Sequence, residues 1–335
     1  MPCSKHILII ALLMLTGLLQ AQVYDNYPNA LANNDSRIMA WATHCDVVRG
    51  YINISDQNQT YTNGDITSNL AFAGTAQDAC GAANGLSTVS LGDGGIATVQ
   101  FQNPIRDGEG FDFVVFENGF FNPPGETSLA FIELAFVEVS SDGIHFFRFN
   151  TVSEMPYLLQ NNSFAAIDWT LFYGFAGVYT QPYGVAFDLA DLPDEALINK
   201  QRITHVRVID VVGCIQPEFA SYDSQGNIVN DPWPTPFHTG GFDIDAVGVI
   251  NEAQNAIEND QSIDFEIYPN PSSGMVYFRS EMPLRQIQII DIYGKTVFVA
   301  EETTCINTEN LNPGCYWLKV QLQSGTCLTR KLIQY

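Results

Sequence analysis

The feature that most constrains the fold is a series of short apolar runs, each bounded by turn-forming residues. The runs are rich in Val, Ile and Phe, and Gly, Asp, Asn or Pro stands at most of their ends, which is typical of β-strands. They are SLGDGGIATVQF, GFDFVVFEN, LAFIELAFVEVSSDG, ITHVRVIDVVG and GFDIDAVGVI. No long run has the periodicity of an amphipathic helix, and only residues 189–201 are predicted to contain a helical turn. The pattern therefore predicts an all-β protein, either a sandwich or a jelly roll.

The first 21 residues are predicted to be an export signal. Lys5 and His6 form a polar start, residues 7–19 are apolar, and Ala21 offers a cleavage point. The apolar run is too short to cross a bilayer as a helix. Cys3 precedes this run, which argues against a lipoprotein anchor. We therefore expect a mature protein that is soluble or held at a surface.

The charge of the mature chain limits its partners. Loss of Lys5 leaves 13 of the 14 basic residues against 37 acidic ones, a net charge of −24. Nucleic acids and anionic lipid surfaces would be repelled by this charge. Divalent cations would be attracted.

An even number of cysteines in an exported chain is compatible with disulfides. Six follow the signal, and they allow 15 pairings: Cys45, Cys80, Cys214, Cys305, Cys315 and Cys327. No CxxC occurs, so neither a zinc ribbon nor a thioredoxin-type motif is present. We predict a Cys45–Cys80 bridge, which would close a loop of about 36 residues and stabilise the fold by about 3–4 kcal/mol.

A polar, acidic segment divides the chain. Residues 251–262, NEAQNAIENDQS, are predicted to be a linker. Residues 22–262 have a net charge of −23, whereas residues 263–335 have a net charge of −1. The predicted parts are therefore a signal at 1–21, a surface domain at 22–250, the linker and a C-terminal domain at 263–335.

The C-terminal domain is predicted to be a small Ig-like β-sandwich of about seven strands. Its segments FEIYPNPSSGMVYF, IQIIDIYGKTVF, LNPGCYWLKVQ and TRKLIQY resemble, in order and spacing, the type A C-terminal sorting domain of the type IX secretion system of Bacteroidetes. The residues that carry the resemblance are Tyr268, Pro269, Asn270, Pro271, Gly274, Asp291, Gly294, Lys295, Gly314, Tyr316 and Lys331. Cys305, Cys315 and Cys327 depart from the usual pattern.

This resemblance implies a route and a set of partners. The signal would take the chain across the inner membrane, and the tail would engage the type IX machinery and its sorting peptidase. The mature protein would then be secreted, either released or attached to surface lipopolysaccharide. The alternative is that the tail is only a small β domain of the cargo.

Five acids between residues 91 and 119 divide into two kinds. Asp93, Asp107 and Glu109 each precede glycine and are predicted to form turns. Asp112 and Glu117 flank an apolar strand and point to opposite faces, about 16 Å apart at roughly 3.3 Å per residue. A close catalytic pair made from these two is therefore not expected.

GFDIDAVGVI places two further acids on one predicted strand face. Asp243 and Asp245 are two residues apart, and they would repel unless a cation or hydrogen-bond donors compensated them. Calcium suits such oxygen-rich surroundings. We predict that Asp243 or Asp245 lies within reach of Asp112 or Glu117 and that calcium binds there in a structural role. The alternative is that turns, backbone amides or an arginine such as Arg207 satisfy these acids.

No catalytic template is present. HExxH, GxSxG, a P-loop and a dinucleotide fingerprint are all absent from the sequence. No catalytic residue is therefore predicted, and a protein that is not an enzyme is favoured. The alternatives are a glycan-active hydrolase that uses carboxylates of the first domain, and a purely structural surface component.

The first domain also resembles a known family. LGDGGIATVQF, GFDFVVFENG, VEVSSDGIHFFRF, AFDLADL and GFDIDAV are similar to an uncharacterised domain of bacterial cell-surface proteins, over about residues 45–250. The resemblance implies a jelly roll of the galactose-binding type. It implies a fold much more firmly than a ligand.

Two long connections, 155–184 and 214–241, are candidate ligand-binding loops. Their aromatic side chains have flat apolar faces and polar edges, which suit sugars or other small amphipathic ligands. These are Trp169, Tyr173, Tyr179, Tyr183, Tyr222 and Trp233. The alternative is that they fold inward and close the ends of the sandwich. We interpret the protein as a secreted, surface-displayed binding or adhesion module.

Overall fold

The chain divides into two compact units, Met1–Gln254 and Asn255–Tyr335. The computed structural model describes residues 23–24, 26–122, 124, 127–253, 265–280, 282–291, 295–323 and 327–335. The predicted export signal and most of the predicted linker lie outside these ranges. No helix within them is long and apolar enough to cross a membrane.

The first unit is built from antiparallel strands. In chain order they are β1 Ala30–Ala32, β2 Ala40–Trp41, β3 His44–Val48, β4 Tyr61–Asn63, β5 Ile66–Ser68, β6 Val89–Ser90, β7 Ile96–Ile105, β8 Phe113–Glu117, β9 Phe120–Phe121, β10 Leu129–Phe131, β11 Ala135–Ser140, β12 Phe147–Arg148, β13 Val152–Ser153, β14 Ile167–Asp168, β15 Phe172–Tyr173, β16 Tyr183–Phe187, β17 Ile203–Asp210 and β18 Asp243–Val249.

Two sheets dominate this unit. The first sheet has the order β1-β16-β8-β18-β2, with β6 also paired to β18, and the second has the order β12-β11-β17-β7-β3. Smaller sheets are β14-β10-β9, β13-β15 and β4-β5. The prediction of an all-β protein is confirmed, and the jelly-roll topology stays a prediction.

The apolar run of β8 is buried on both faces. Phe113 and Val115 belong to the main core, whereas Val114 and Phe116 belong to a second apolar cluster on the other face of the first sheet. This division follows from the period of two along a strand. A run of consecutive apolar residues is therefore stable here as a strand covered on both sides.

The helical elements are short. The predicted helical region around residues 189–201 has two 3-10 turns, Leu189–Asp191 and Lys200–Arg202, in place of one continuous helix. Asp188 caps the first of these turns by accepting a hydrogen bond from the backbone N–H of Ala190. The other 3-10 turns are Ala76–Ala79 and Trp169–Leu171.

The predicted Cys45–Cys80 disulfide is wrong, because both residues are free thiols. The Cys45 thiol is directed to the carbonyl oxygen of Asp46 at 3.8 Å, and the Cys80 thiol to that of Ala76 at 3.7 Å. Burial, and to a smaller extent the neighbouring Cys80, raises the pKa of Cys45 to about 12. The Cys45 thiol is therefore protonated at neutral pH and a poor nucleophile.

The second unit contains two antiparallel sheets with their own core. Its strands are β19 Phe265–Tyr268, β20 Met275–Ser280, β21 Leu284–Ile290, β22 Thr296–Glu301, β23 Cys305–Asn307, β24 Gly314–Leu322 and β25 Cys327–Gln334. The sheet orders are β19-β20-β23 and β22-β21-β24-β25. Alternating apolar residues such as Leu318, Val320 and Leu322 fill the core of this unit.

Candidate functional site

A cleft of about 500 Å³ opens on the first unit. Its walls come from the start of the described chain, from Phe111 before β8, from β15 and β16, and from the loop that contains the 3-10 turn Trp169–Leu171. Most lining side chains are aromatic or aliphatic, and a few polar groups stand among them. The lining includes Tyr27, Asn29, Phe149, Asn150, Trp169, Tyr173, Phe175, Tyr179, Phe187 and Asp191.

Three of the predicted ligand-binding aromatics line this cleft: Trp169, Tyr173 and Tyr179. Trp169 is 3% exposed, and its indole N–H donates to the carbonyl oxygen of Thr127 at 3.1 Å. Tyr179 is 4% exposed, and its hydroxyl donates to Oδ1 of Asn29 at 2.7 Å. Tyr173 is 53% exposed, so it is the member of this set that offers the most surface to a ligand.

The aromatic rings on this side of the cleft pack against one another. Tyr24, Trp169 and Tyr179 pack edge to face, with ring centroids 4.9–5.8 Å apart. Tyr27 also meets Trp169 edge to face, with centroids 4.9 Å apart. Such a cluster fixes the shape of the cleft before any ligand arrives.

The other three predicted aromatics lie elsewhere. Tyr183 is half-buried against Tyr24, with ring centroids 5.0 Å apart. Tyr222 is 43% exposed on the second long loop, and its hydroxyl donates to the carbonyl oxygen of Pro217. Trp233 is buried, and its indole N–H donates to Oδ2 of Asp93 at 3.2 Å. None of the three belongs to the described lining of the cleft.

Sequence reasoning missed several lining residues. Tyr27, Asn29, Asn150 and Asp191 lie outside the two long loops. The pKa of Asp191 is raised by burial and then by repulsion from Asp188. A polar residue beside an aromatic one is too common a pattern in sequences to have identified them.

The predicted metal-binding acids do not form one site. Asp112 accepts hydrogen bonds from the backbone N–H groups of Gly108 and Leu189, both at 2.8 Å. Ligand atoms of Asp112, Asp107 and Asp188 lie within 4.8 Å of one another, and Asp112 is fully buried whereas the other two are half-buried. Glu117 lies at the far end of β8 from Asp112, as the strand geometry requires.

Asp243 and Asp245 also serve different surroundings. Asp243 accepts hydrogen bonds from the hydroxyl of Ser90 and the side-chain amide of Asn118. Asp245 accepts from the backbone N–H groups of Asn84 and Gly85. A register shift between Ile244 and Ala246 interrupts the alternation of β18, so the expectation of one shared face is wrong.

Glu117 and Asp243 are brought together on neighbouring strands, where Ile244 stands opposite Glu117. Burial raises the pKa of Glu117 well above its usual value, and repulsion from Asp243 raises it further. Burial likewise raises the pKa of Asp243 to about 6. These two carboxyl groups therefore share one interior region.

Three further buried acids belong to the same region, and sequence reasoning did not assign them to it: Glu133, Asp210 and Asp231. Burial raises the pKa of each well above its usual value, and for Glu133 the carboxylates of Asp243 and Glu117 add to the effect. For Glu133 and Asp210 the available sequence signal was a single acid inside an apolar run, FIELAF for Glu133 and VRVIDVV for Asp210.

Sorting-domain motifs hold the second unit together. Asn270 donates to the carbonyl oxygen of Lys331 at 2.7 Å and accepts from the N–H of Ile333 at 2.9 Å, which fastens the opening turn to β25. Oδ1 of Asp291 accepts from the N–H of Lys295 at 3.0 Å. The hydroxyl of Tyr316 donates to the carbonyl oxygen of Asn312 at 2.7 Å. Gly294 lies outside the described residues.

Comparison with known proteins identifies this unit. Residues 266–334 match the family model described as the secretion system C-terminal sorting domain. The unit is therefore a sorting domain of the type IX secretion system, and the protein is exported to the cell surface or beyond.

Two further comparisons cover the whole chain. No curated protein matches the chain. Among solved structures, a polysaccharide lyase is similar at 11% identity with a TM-score of 0.18, over 92% of this chain and 44% of that one. The chain thus spans less than half the length of the lyase, and a likeness this weak indicates neither fold nor activity.

Proposed function

We propose that the first unit is an exported binding module whose aromatic cleft holds a glycan or another small amphipathic ligand. The observation that supports this most is the cleft itself, with about 500 Å³ of space between aromatic walls and several polar side chains. Ligand sites of this size are mostly apolar, with a few polar groups that set the ligand's orientation.

Tyr173 is the proposed platform for the ligand. A sugar ring stacks on a flat aromatic face through its C–H groups while its hydroxyls find polar partners at the edge. Asn150 and Asp191 stand in the same lining and supply an amide and a carboxylate. Because Trp169 and Tyr179 are already hydrogen-bonded and buried, they would shape the site, and Tyr173 would contribute most of the stacking surface.

The sorting domain determines where this binding takes place. We propose that the sorting peptidase removes this domain during export and that the first unit is then released or attached to surface lipopolysaccharide. Either outcome places the cleft outside the cell, in contact with external glycans.

The test is ligand binding by the full chain against a panel of glycans, with Tyr173→Ala as the variant. Tyr222→Ala is a matched control, because Tyr222 is also an exposed tyrosine and lies away from the cleft. We expect Tyr173→Ala to weaken binding at least tenfold and Tyr222→Ala to leave it unchanged. Equal losses in both variants, or no binding to any glycan, would contradict the proposal.

The same experiment distinguishes the hydrolase alternative. Glycoside hydrolases generally use two carboxyl groups that flank the scissile bond. Asp191 is the one acid in the described lining of the cleft. Turnover of a bound glycan that disappears in Asp191→Asn would favour catalysis over simple binding.

A further inference from the structure

The aromatic cleft of the first unit has one charged side chain in its described lining, the carboxylate of Asp191. Half of the lining residues are aromatic, and the least buried of these are Tyr27, Phe111 and Tyr173. The face of an aromatic ring carries negative electrostatic potential, which attracts a cation placed over it. The rings and the carboxylate therefore favour the same ligand charge, which is positive.

The Asp191 carboxylate is available to a ligand. It ends the 3-10 turn Leu189–Asp191, is exposed, and makes no hydrogen bond or ion pair with another described residue. Neighbouring acids of the same segment are already engaged. Asp188 caps the same turn, and Oδ1 of Asp194 lies 2.9 Å from Nζ of Lys200. Of these three carboxylates, the one that borders the cleft is thus the one without a partner among the described residues.

The charge of the surrounding unit has the same sign as Asp191. Residues 22–262 have a net charge of −23, so this part of the chain repels anions and attracts cations. A ligand with carboxylate or sulfate groups would find no lysine, arginine or histidine in the described lining to pair with it. Among sugars, uronic acids and sulfated sugars are therefore disfavoured, and sugars that carry a protonated amine are favoured.

Two further groups of the lining suit the rest of a sugar. The Asn150 side chain is exposed and makes no hydrogen bond to another described residue, so its amide can both donate to and accept from sugar hydroxyls. The exposed ring of Tyr173 can stack on the apolar face of the sugar. An alkylammonium ion without hydroxyls would leave Asn150 unused. The lining therefore fits an amino sugar better than a simple amine.

We propose that the cleft binds an amino sugar whose protonated amine pairs with Asp191 beside the aromatic rings. This inference rests on the proposed function, that of a ligand-binding module, and gives its ligand a charge. An ammonium group donates up to three hydrogen bonds, and a charge-assisted bond to a carboxylate is stronger than one between neutral groups. Asp191 thereby sets the preference for charged over neutral sugars, whereas Tyr173 contributes affinity for both.

The test is calorimetric titration of the full chain with oligomers of glucosamine and, separately, with oligomers of N-acetylglucosamine of the same length. Acetylation removes the charge of the amine and keeps the sugar ring, so the two probes are matched. At about pH 6, where such amines are protonated, we expect the wild-type chain to bind the glucosamine oligomer at least about tenfold more tightly. Asp191→Asn should reduce this preference to less than about threefold, because the charge that pairs with the amine is gone.

Asp65→Asn is the matched control. Asp65 is an exposed acid in the turn between β4 and β5 and is not part of the described lining. This substitution removes the same charge from the same unit, so the preference for the glucosamine oligomer should persist. Equal losses in Asp65→Asn and Asp191→Asn would mean that the overall acidity of the unit attracts the amine, which would overturn the role of Asp191.

Other outcomes separate this inference from the proposed function. Equal affinity of the wild-type chain for the two oligomers, or binding of another glycan of the panel but of neither oligomer, would overturn the amino sugar and leave the binding module standing. Absence of binding to every glycan would overturn both. Choline tests the ammonium group alone, and binding of choline without binding of the glucosamine oligomer would also overturn the amino sugar. The comparison of the two oligomers on the wild-type chain decides even if Asp191→Asn fails to fold.

Discussion

Glu133 and Glu138 lie five residues apart, one just before β11 and one within it, and are 5% and 6% exposed, yet their surroundings are opposite. Glu138 accepts hydrogen bonds from Arg148 at 2.8 Å and from Arg207 at 2.7 Å. Glu133 accepts none from the described residues and is surrounded by other carboxylates. Two equally buried carboxyl groups can therefore differ in whether positive charge compensates them.

The strand register of the second sheet explains why two arginines compensate the charge of Glu138. Arg148 on β12 and Arg207 on β17 stand directly opposite Glu138 on either side. Each guanidinium also lies over an aromatic ring, Arg148 over Phe136 at 4.3 Å and Arg207 over Phe146 at 3.7 Å. The charges, their partners and their packing are thus specified by three adjacent strands. Glu133 has no such partner among the described residues, so no positive charge compensates its carboxyl group.

The largest expected effect on stability comes from removing the negative charge of Glu138. Glu138→Gln removes the charge that two arginines share, and the free energy of unfolding should fall by about 3 kcal/mol because both guanidinium groups stay partly buried. Urea unfolding of the full chain measures the change. Glu154→Gln, at an exposed glutamate, is the control and should change stability by less than about 0.5 kcal/mol. A similar small change in Glu138→Gln would mean that the ion pairs contribute little.

A second prediction concerns the pH dependence of stability that the buried carboxyl group of Asp93 causes. Burial raises the pKa of Asp93 from 3.8 to about 6, although the N–H groups of Ile54 and Trp233 oppose the rise. The folded state therefore holds a proton that the unfolded state releases. The contribution of Asp93 to the free energy of unfolding is fully present below about pH 4 and is lost as the pH rises through about 6. The loss is roughly 2–3 kcal/mol, at about 1.4 kcal/mol per pH unit.

Asp93→Asn tests this pH dependence, because asparagine cannot ionise and its oxygen can still accept both N–H groups. In the presence of a chelator, unfolding free energies measured between pH 4 and 7.5 should decline less steeply for the variant than for the wild-type chain. Some decline should persist, since the pKa of neighbouring Asp210 is also raised by burial. An identical slope in both proteins would show that Asp93 is not the titrating group.

The comparison predicts that glutamine at position 133 and glutamine at position 138 change the free energy of unfolding in opposite directions. In chelator at neutral pH, Glu133→Gln should stabilise the chain by about 1–2 kcal/mol, because glutamine removes a buried carboxyl group whose ionisation is disfavoured and that has no partner among the described residues. The same substitution at position 138 is destabilising. Urea unfolding of both variants side by side measures the difference. Destabilisation by Glu133→Gln in chelator would mean that an unseen donor satisfies this carboxylate.

Much of the strand layout could be predicted from sequence. The runs around residues 96–101, 113–117 and 203–210 are strands, because alternating or consecutive β-branched and aromatic residues between turn formers have few other stable arrangements. The register shift in β18 could not be predicted, since it depends on pairing with β8 and β6. That shift is why Asp243 and Asp245 have different partners.

The candidate site was less predictable than the strands. Asp93 precedes a glycine and was expected only to form a turn, but it is buried and accepts N–H groups from Ile54 and Trp233, remote in sequence. Glu133 meets Asp231 across about a hundred residues of chain, through Leu134. A single sequence shows which residues are acidic, but not which acids the long loops will bury together.

The smallest predicted effect distinguishes the two arginines that balance Glu138. The Arg148 side chain is 41% exposed and the Arg207 side chain 30% exposed, and Arg207 donates through two nitrogens. Arg148→Met should therefore cost about 0.5 kcal/mol, as for other exposed pairs, whereas Arg207→Met should cost about 1–2 kcal/mol. Methionine retains most of the apolar contact with the rings, so the loss reports mainly on charge. A double-mutant cycle of each arginine with Glu138→Gln isolates the two couplings. If Arg148 proved the stronger partner, exposure would be a poor guide to how these carboxylates are balanced.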